Sequence, residues 1–252
     1  CVVEAKGRRN LLAACVTPAE NGMVIETESP DVVETRKIIL ELLLARHKLE
    51  CHTCESDGIC KLQDYCYRYG VKDSRFQGEG PDIYKDDPNP FIERDYNKCI
   101  MCTRCVRACE EITGAQAINV EDRGHHAVIS TAFNGNLADS PCVFCGQCSA
   151  VCPVGAIVEK DDTAKVWDAI YDNKKHVVVQ VAPAVRVALG DVFNLPEGSI
   201  VTGKMVLVLC WLGFEKIFDT NFTADLTILE EGNELIKRVT EGGTLPMITS
   251  CS

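Results

Sequence analysis

Apolar and polar positions change their rhythm several times along this chain. From Cys1 to Glu28, short apolar runs (Val2-Val3, Met23-Val24-Ile25) alternate with turn signals such as Asn21-Gly22, the pattern of a small β-rich domain near its end. Ser29-Pro30-Asp31 then opens a helix, with proline in the first turn and Glu34 placed for a capping box. Ile38, Ile39, Leu42 and Leu43 recur at helical spacing up to His47. Leu49 to Tyr69 is rich in cysteine, and the Gly, Pro and Asp of Gly78 to Pro90 read as a linker. From His176 onward the pattern predicts a strand over Val177–Val181, a helix over Lys204–Leu212, a strand over Lys216–Asp219 and a helix over Leu226–Val239. A further strand is expected to end at Met247-Ile248-Thr249. Strand–helix alternation of this kind predicts an α/β domain.

Composition narrows the function classes. With 252 residues there is room for more than one domain, at roughly 100–200 residues each. Thirty-seven acidic residues against 26 basic ones give a net charge of −11, which argues against nucleic-acid binding. A membrane span needs about 18 or more uncharged apolar residues. The longest candidate, His176 to Val192, is interrupted by Arg186 and Asp191. The first residue is Cys1 rather than Met and the chain stops at Cys251-Ser252, so it is expected to be a fragment.

Most of the 16 cysteines fall in tight groups built on C-x-x-C, which suit metal or cluster binding better than a disulfide framework and imply a reducing, cytoplasmic compartment. Two runs match position for position: Cys99, Cys102, Cys105 and Cys109, then Cys142, Cys145, Cys148 and Cys152. Each is followed by Ala-Ile, at Ala117-Ile118 and Ala156-Ile157. Both runs read C-x2-C-x2-C-x3-C, the bacterial two-cluster ferredoxin pattern, in which the fourth cysteine of each run ligates the other cluster. One 4Fe–4S cluster is therefore expected on Cys99, Cys102, Cys105 and Cys152, the other on Cys142, Cys145, Cys148 and Cys109. The second run ends in Pro153, whereas the first has Glu110 in that place. Paired zinc sites, the competing reading, normally use two C-x2-C knuckles.

A further group is His47-x3-Cys51-x2-Cys54-x5-Cys60. Imidazole can replace a thiolate on a cluster and tends to raise its reduction potential. Spacing alone leaves His52 and Cys66 as rivals for the fourth position. A histidine ending an apolar helix can equally serve the helix dipole. Cys1 and Cys15 carry little information by themselves, and Cys66 and Cys210 read as buried apolar thiols.

Taken together, Cys1…Cys15-Val-Thr-Pro, the His47 group and the two ferredoxin runs resemble the N-terminal part of FeFe (iron-only) hydrogenases. Val179-Gln-Val-Ala-Pro-Ala-Val-Arg186, Leu212-Gly-Phe-Glu-Lys-Ile-Phe-Asp219 and Pro246-Met-Ile-Thr-Ser-Cys251 look like the start of that family's H-cluster domain. The resemblance implies an α+β multidomain iron–sulfur protein. Residues 1–30 would end a β-grasp, plant-type 2Fe–2S domain, and 31–80 would form a 4Fe–4S domain with one histidine and three cysteine ligands. Residues 81–165 would be a two-cluster ferredoxin-like domain and 166–252 the start of the H-cluster-type α/β domain. The resemblance makes Cys1 and Cys15 the last two ligands of a 2Fe–2S cluster whose other two precede residue 1. His47, Cys51, Cys54 and Cys60 become the ligands of a His-ligated 4Fe–4S cluster, giving three 4Fe–4S clusters in all.

By the same resemblance, Ala182-Pro183-Ala184 falls on a loop beside the diiron site. Glu231, Glu234, Arg238 and Cys251 match residues of the family's proton path. The first three lie at i, i+3 and i+7, a spacing that a solvated helix face explains equally well. The family reads Thr-Ser-Cys-Cys-Pro where this chain has Thr249-Ser250-Cys251-Ser252, and serine is a poor substitute for a thiolate ligand.

The function implied is electron relay toward a hydrogen-converting site in a hetero-oligomer, with a flavin–NADH iron–sulfur subunit or ferredoxin as partner. A ferredoxin as acidic as this chain would need a local basic patch to dock. The alternatives are a non-catalytic relay with a degenerate H-cluster domain, and a formate- or NADH-dehydrogenase subunit. Residues 176–252 count against the last.

Overall fold

The computed structural model describes residues 2–76, 78, 85–86 and 89–249. Cys1, Cys251 and Ser252 lie outside them, as does most of the segment expected to be a linker. The chain divides into two compact units, 1–160 and 161–252.

In the first unit, β1 (Val2–Ala5) pairs antiparallel with β2 (Leu12–Ala13) on one side and β3 (Ile25–Glu26) on the other. Helix α1 (Pro30–Leu44) follows. Proline opens it, but no capping box forms. Val32 occupies the third helical position, where a capping-box acid belongs, so Glu34 lies too far along, and the buried Ser29 Oγ has no partner.

The stripe that α1 buries also differs from the expected one. Val32, Leu40 and Leu44 face the core, four residues apart in register with Arg36, while Leu42 is exposed. Arg36 joins three elements. Its Nη1 donates to Glu28 (3.1 Å) and to the Tyr69 hydroxyl (2.6 Å), and its Nη2 donates to the Val2 carbonyl (3.0 Å).

Helix α2 (Lys61–Tyr69) ends on Gly70, whose left-handed φ of 67° suits a residue without Cβ. Leu62 and Cys66 of α2 pack with Leu40, Leu44, Val154 and Ala156 in one core cluster. The last two come from the chain just beyond Cys152, so this core bridges sequence regions about a hundred residues apart.

Within the expected linker, β4 (Lys85–Asp86) pairs with β5 (Ile92–Asp95), and β5 pairs in turn with β8 (Ile157–Glu159). The buried Asn89 side chain opens β5 by accepting from the Ile92 amide (2.7 Å) and donating to its carbonyl (2.7 Å). Between β5 and β8 lie α3 (Arg104–Arg107), the hairpin β6 (Asn119–Glu121) and β7 (Val128–Ser130), and α4 (Gln147–Ala150). The second core cluster joins Ile92, Val106, Ile118, Ile129, Leu137 and Ile157, with the cysteines of both runs at its edge.

The second unit begins with α5 (Thr163–Tyr171), which spans the boundary expected at 165–166. Strand β9 (Val178–Val181) leads into α6 (Pro183–Val192), then α7 (Thr202–Leu212), β10 (Lys216–Asp219) and α8 (Thr220–Glu241). β9 and β10 pair in parallel. α8 starts six residues before the predicted helix, because the Asp219 side chain caps it by accepting from the Asn221 amide. Residues 247–249 are irregular rather than a strand. Cys210 corrects another expectation. It is exposed on α7, where Val206, Leu207, Val208 and Trp211 are exposed as well. No helix among the described residues is long and apolar enough to cross a membrane.

Candidate metal centres

The two ferredoxin runs fold into matching loops. In the first, Met101 and Thr103 take left-handed conformations (φ 54° and 58°), and in the second Phe144 and Gly146 do the same (φ 53° and 75°). Each loop turns back on its first cysteine. The Met101 amide donates to Cys99 Sγ and the Phe144 amide to Cys142 Sγ, both at 3.4 Å. Each loop then enters a short helix, α3 or α4. After α3 the paths part. With Glu110 after Cys109, the chain winds on through a π-helical turn, Ala108–Thr113, stopped by Gly114 at φ 74°. After α4 the chain leaves the helix at Val151, and Cys152-Pro153 follows outside it. The proline difference in the sequence thus marks a difference in where each helix stops.

The cysteines sort across the runs. Cys99, Cys102, Cys105 and Cys152 line one cavity, together with Tyr96, Ile129 and Ile157. Cys109, Cys142, Cys145 and Cys148 line a second, with Ile92, Ile118 and Leu137. In each, three thiols from one loop meet the fourth thiol of the other run. Burial, with repulsion from neighbouring thiolates, pushes the Cys105 thiol up to about 12. Burial likewise raises Cys148 to about 11. Four soft thiols gathered in an apolar wall, with burial keeping Cys105 and Cys148 protonated until a metal centre takes the charge, fit an iron–sulfur cluster. Three backbone amides already point at ligand sulfurs, since Ala117 also donates to Cys109 Sγ (3.3 Å).

Cys145 stands apart. It is exposed, and the Thr113 hydroxyl 3.3 Å away lowers its pKa. In iron-free, reduced protein near neutral pH, iodoacetamide should therefore label Cys145 well before Cys105 or Cys148, as peptide mass spectrometry would read directly. Equal labelling of all three would contradict this electrostatic picture.

A third cavity is lined by His47, Cys51, Cys54 and Cys60. Cys66 is not among them and lies in the core, so the geometry separates two rivals that spacing left open. Burial lowers the pKa of the His47 imidazole, and its buried Nδ1 has no hydrogen-bond partner. A neutral imidazole with an orphaned nitrogen, in a cavity lined by three thiols, fits the donor set of a cluster site with one histidine and three cysteine ligands. Gly155 closes the cavity from the far side of the chain: a Cβ there would lie 2.5 Å from Cys54 Sγ and 3.2 Å from Ser56 Oγ. The Lys61 amide, next to Cys60, donates to the carbonyl of Pro153, next to Cys152 (2.9 Å). One hydrogen bond therefore ties the third cavity to the first. Neither Gly155 nor this bond carries a sequence signal. Among the described residues no three thiol, imidazole or carboxylate groups close on a single ion-sized point, and the cysteines stand around cavities instead.

The remaining candidate residues are more scattered. Cys15 is exposed in a turn after β2. Ala182 is the residue before α6 and Pro183-Ala184 form its first turn, so the stretch is a helix start at the end of β9 rather than a loop. Glu234 and Arg238 form an i,i+4 ion pair on α8, through Nε at 2.9 Å and also through Nη2. Arg238 also donates to the Thr244 carbonyl (3.1 Å). Glu234 is exposed, and Glu231 and Arg238 are partly so.

Four family profiles match. They are the 2Fe-2S iron–sulfur cluster binding domain over residues 1–30, the NADH-ubiquinone oxidoreductase-G iron–sulfur binding region over 36–75, the ferredoxin-like domain of NADH-quinone oxidoreductase subunit 3 over 89–158, and the C-terminal domain of the iron-only hydrogenase large subunit over 175–252. The NADP-reducing hydrogenase subunit HndD of Solidesulfovibrio fructosivorans is 45% identical over the whole chain. Iron hydrogenase 1 of Clostridium pasteurianum is 38% identical over the same span. The chain covers 44% of the length of each. A chain of an NAD+-reducing nickel–iron hydrogenase superposes with a TM-score of 0.58 and 34% identity, over 64% of this chain and 68% of that one.

The modules are those of an iron–sulfur oxidoreductase subunit. The chain belongs to the multi-cluster iron-only hydrogenase family.

Proposed function

We propose that this chain is the electron-relay portion of a hydrogen-converting oxidoreductase and holds three 4Fe–4S clusters, one in each cavity. The observation that carries the reading is the convergence of four ligand-type side chains on each of three cavities, two of them by exchange between the runs. Bound iron–sulfur clusters supply one-electron storage and transfer. The protein's part is to fix and tune them. Thiolates and one neutral imidazole hold the iron, amides of Met101, Phe144 and Ala117 donate to ligand sulfurs, and an apolar wall limits water. Hydrogen bonding, ligand type and exposure are the levers that set cluster potentials.

A 2Fe–2S cluster on Cys1 and Cys15, completed by upstream cysteines, extends the series on the strength of the resemblance. So do the proton-path roles of Glu231, Glu234, Arg238 and Cys251, and the diiron-side role of Ala182-Pro183-Ala184. We assign the subunit to a cytoplasmic hetero-oligomer with a flavin–NADH iron–sulfur subunit or ferredoxin as partner. Ser252, at a position where the family carries a thiolate ligand, favours a second reading, a relay subunit without an H-cluster.

The deciding experiment uses the full-length protein, anaerobically matured, with iron quantified and H2 evolution from reduced methyl viologen measured on the same sample. Activity, with iron beyond what the relay sites take, is the expected result. Relay clusters intact without activity would select the non-catalytic reading. Absence of iron from the three cavities would overturn both.

A further inference from the structure

An open groove of about 530 Å³ lies in the first unit, and Cys152 and Pro153 form part of its wall. The same two residues line the cavity of Cys99, Cys102, Cys105 and Cys152, so groove and cavity share a wall that contains a ligand cysteine. Ile59 and Lys61 line the groove as well, and Cys60 between them lines the third cavity. Three exposed cations border the groove, Lys61, Arg104 and Arg107. Against them stand Glu111 within the groove and Asp64, 3.5 Å from the Lys61 ammonium. Among the described residues the guanidinium groups of Arg104 and Arg107 have no acid partner. The apolar part of the lining is open to solvent, with Ile59 74% and Ile112 65% exposed.

Arg104 and Arg107 stand at i and i+3 on α3, where like charges are neighbours and repel. In a chain of net charge −11, a groove with three cations and one acid is a local reversal of sign. Exposed isoleucines beside arginines have the make-up of a protein-docking surface. Charge then selects the occupant. An acidic protein is repelled by most of this chain and attracted here, and focusing of that kind raises association rates by about ten- to a thousandfold. We infer that the groove is the docking site of a small acidic one-electron carrier protein, whose electron enters at the site of Cys99, Cys102, Cys105 and Cys152. The inference rests on the reading of that cavity as a cluster site. One electron leaves the reduced centre of the carrier, which is oxidised, and reduces the oxidised cluster. No bond forms or breaks and no proton moves. The competing occupant is a second copy of this chain, which brings the same net negative charge.

The test mixes the oxidised full-length protein, anaerobically matured, with flavodoxin hydroquinone in a stopped-flow instrument. Flavodoxin is an acidic one-electron carrier, and its oxidation is followed by its own absorption. In wild type the second-order rate constant should fall as salt rises. In Arg104→Glu/Arg107→Glu it should be at least about tenfold lower at low salt. Lys6→Glu/Lys72→Glu makes the same change in net charge at exposed positions outside the groove, and should stay near wild type. Iron content and reduction by dithionite, which needs no docked protein, should match wild type in both variants. A wild-type rate in the groove variant overturns the proposal, as does equal slowing in the two double variants or a wild-type rate that ignores salt. A dimer that dissociates in the groove variant while the carrier rate holds would assign the groove to a second copy and overturn it too. If the groove variant does not load iron, Lys61→Glu decides: a rate below that of Lys72→Glu upholds the inference and an equal one overturns it. Absence of clusters from the wild type itself would instead refute the underlying cluster assignment.

Discussion

Replacing Cys152 with alanine should remove the cluster whose other three ligands are Cys99, Cys102 and Cys105, while the site built on Cys142, Cys145 and Cys148 stays loaded. The result runs against the linear order of the chain, since Cys152 belongs to the second run. It follows from the cavities. Cys152 lines the same cavity as Cys99, Cys102 and Cys105, and Cys109 lines the other. A cube left with three thiolates is exposed to exchange and loss. The expected readout is about four fewer iron atoms per chain, with one EPR signal missing. Cys109→Ala should delete the complementary signal. If each variant lost instead the site of its own run, the crossed arrangement would be wrong. If both variants lost both sites, the two loops would behave as one folding unit rather than two independent cages.

Gly155→Ala should empty the His47 site. The added methyl would stand 2.5 Å from Cys54 Sγ, far inside van der Waals contact, with Ser56 Oγ at 3.2 Å on the same side. Cys54 would have to turn out of the cavity or the loop after Pro153 would have to retreat. Overpacking of this kind costs about 1–3 kcal/mol where the surroundings can adjust. A ligand sulfur cannot move by about an ångström and still complete a cube. Iron content should therefore drop by about four atoms while the two ferredoxin signals persist. Full iron with an unchanged spectrum would mean that Gly155 does not border the site.

These two experiments divide what the sequence displays from what only the fold displays. The spacing of the ferredoxin runs announces the exchange of fourth ligands because three cysteines in a tight loop leave the fourth vertex to a distant residue. Residues 47–60 announce a site but leave its fourth member open, and the fold brings His47 to the cavity and Cys66 to the core. Strand β10 was legible at its full length from the Ile217-Phe218 pair set between charged ends, and α7 nearly so from its continuous apolar run. By contrast, Gly155 and Arg36 carry no periodicity. Each matters because of a neighbour 34 to 101 residues away. The left-handed turns at Met101, Thr103 and Phe144 were equally invisible, since none is a residue type that favours positive φ. The exposed Cys210 shows the limit of composition: a thiol in an apolar helix reads as core, yet α7 presents apolar residues to solvent in this unit.

The hydrogen bond from the Lys61 amide to the Pro153 carbonyl has a meaning in the language of isotope exchange. Its donor opens α2 and its acceptor follows Cys152, so deuterium can enter at Lys61 only when the seam between the two regions parts. The Lys61 amide is thus a reporter of whether the regions breathe separately or open as one cooperative unit. Slow exchange there, at the pace of the Ile92 and Ile157 amides in the core, would mean that the His47 region and the ferredoxin region live and melt together.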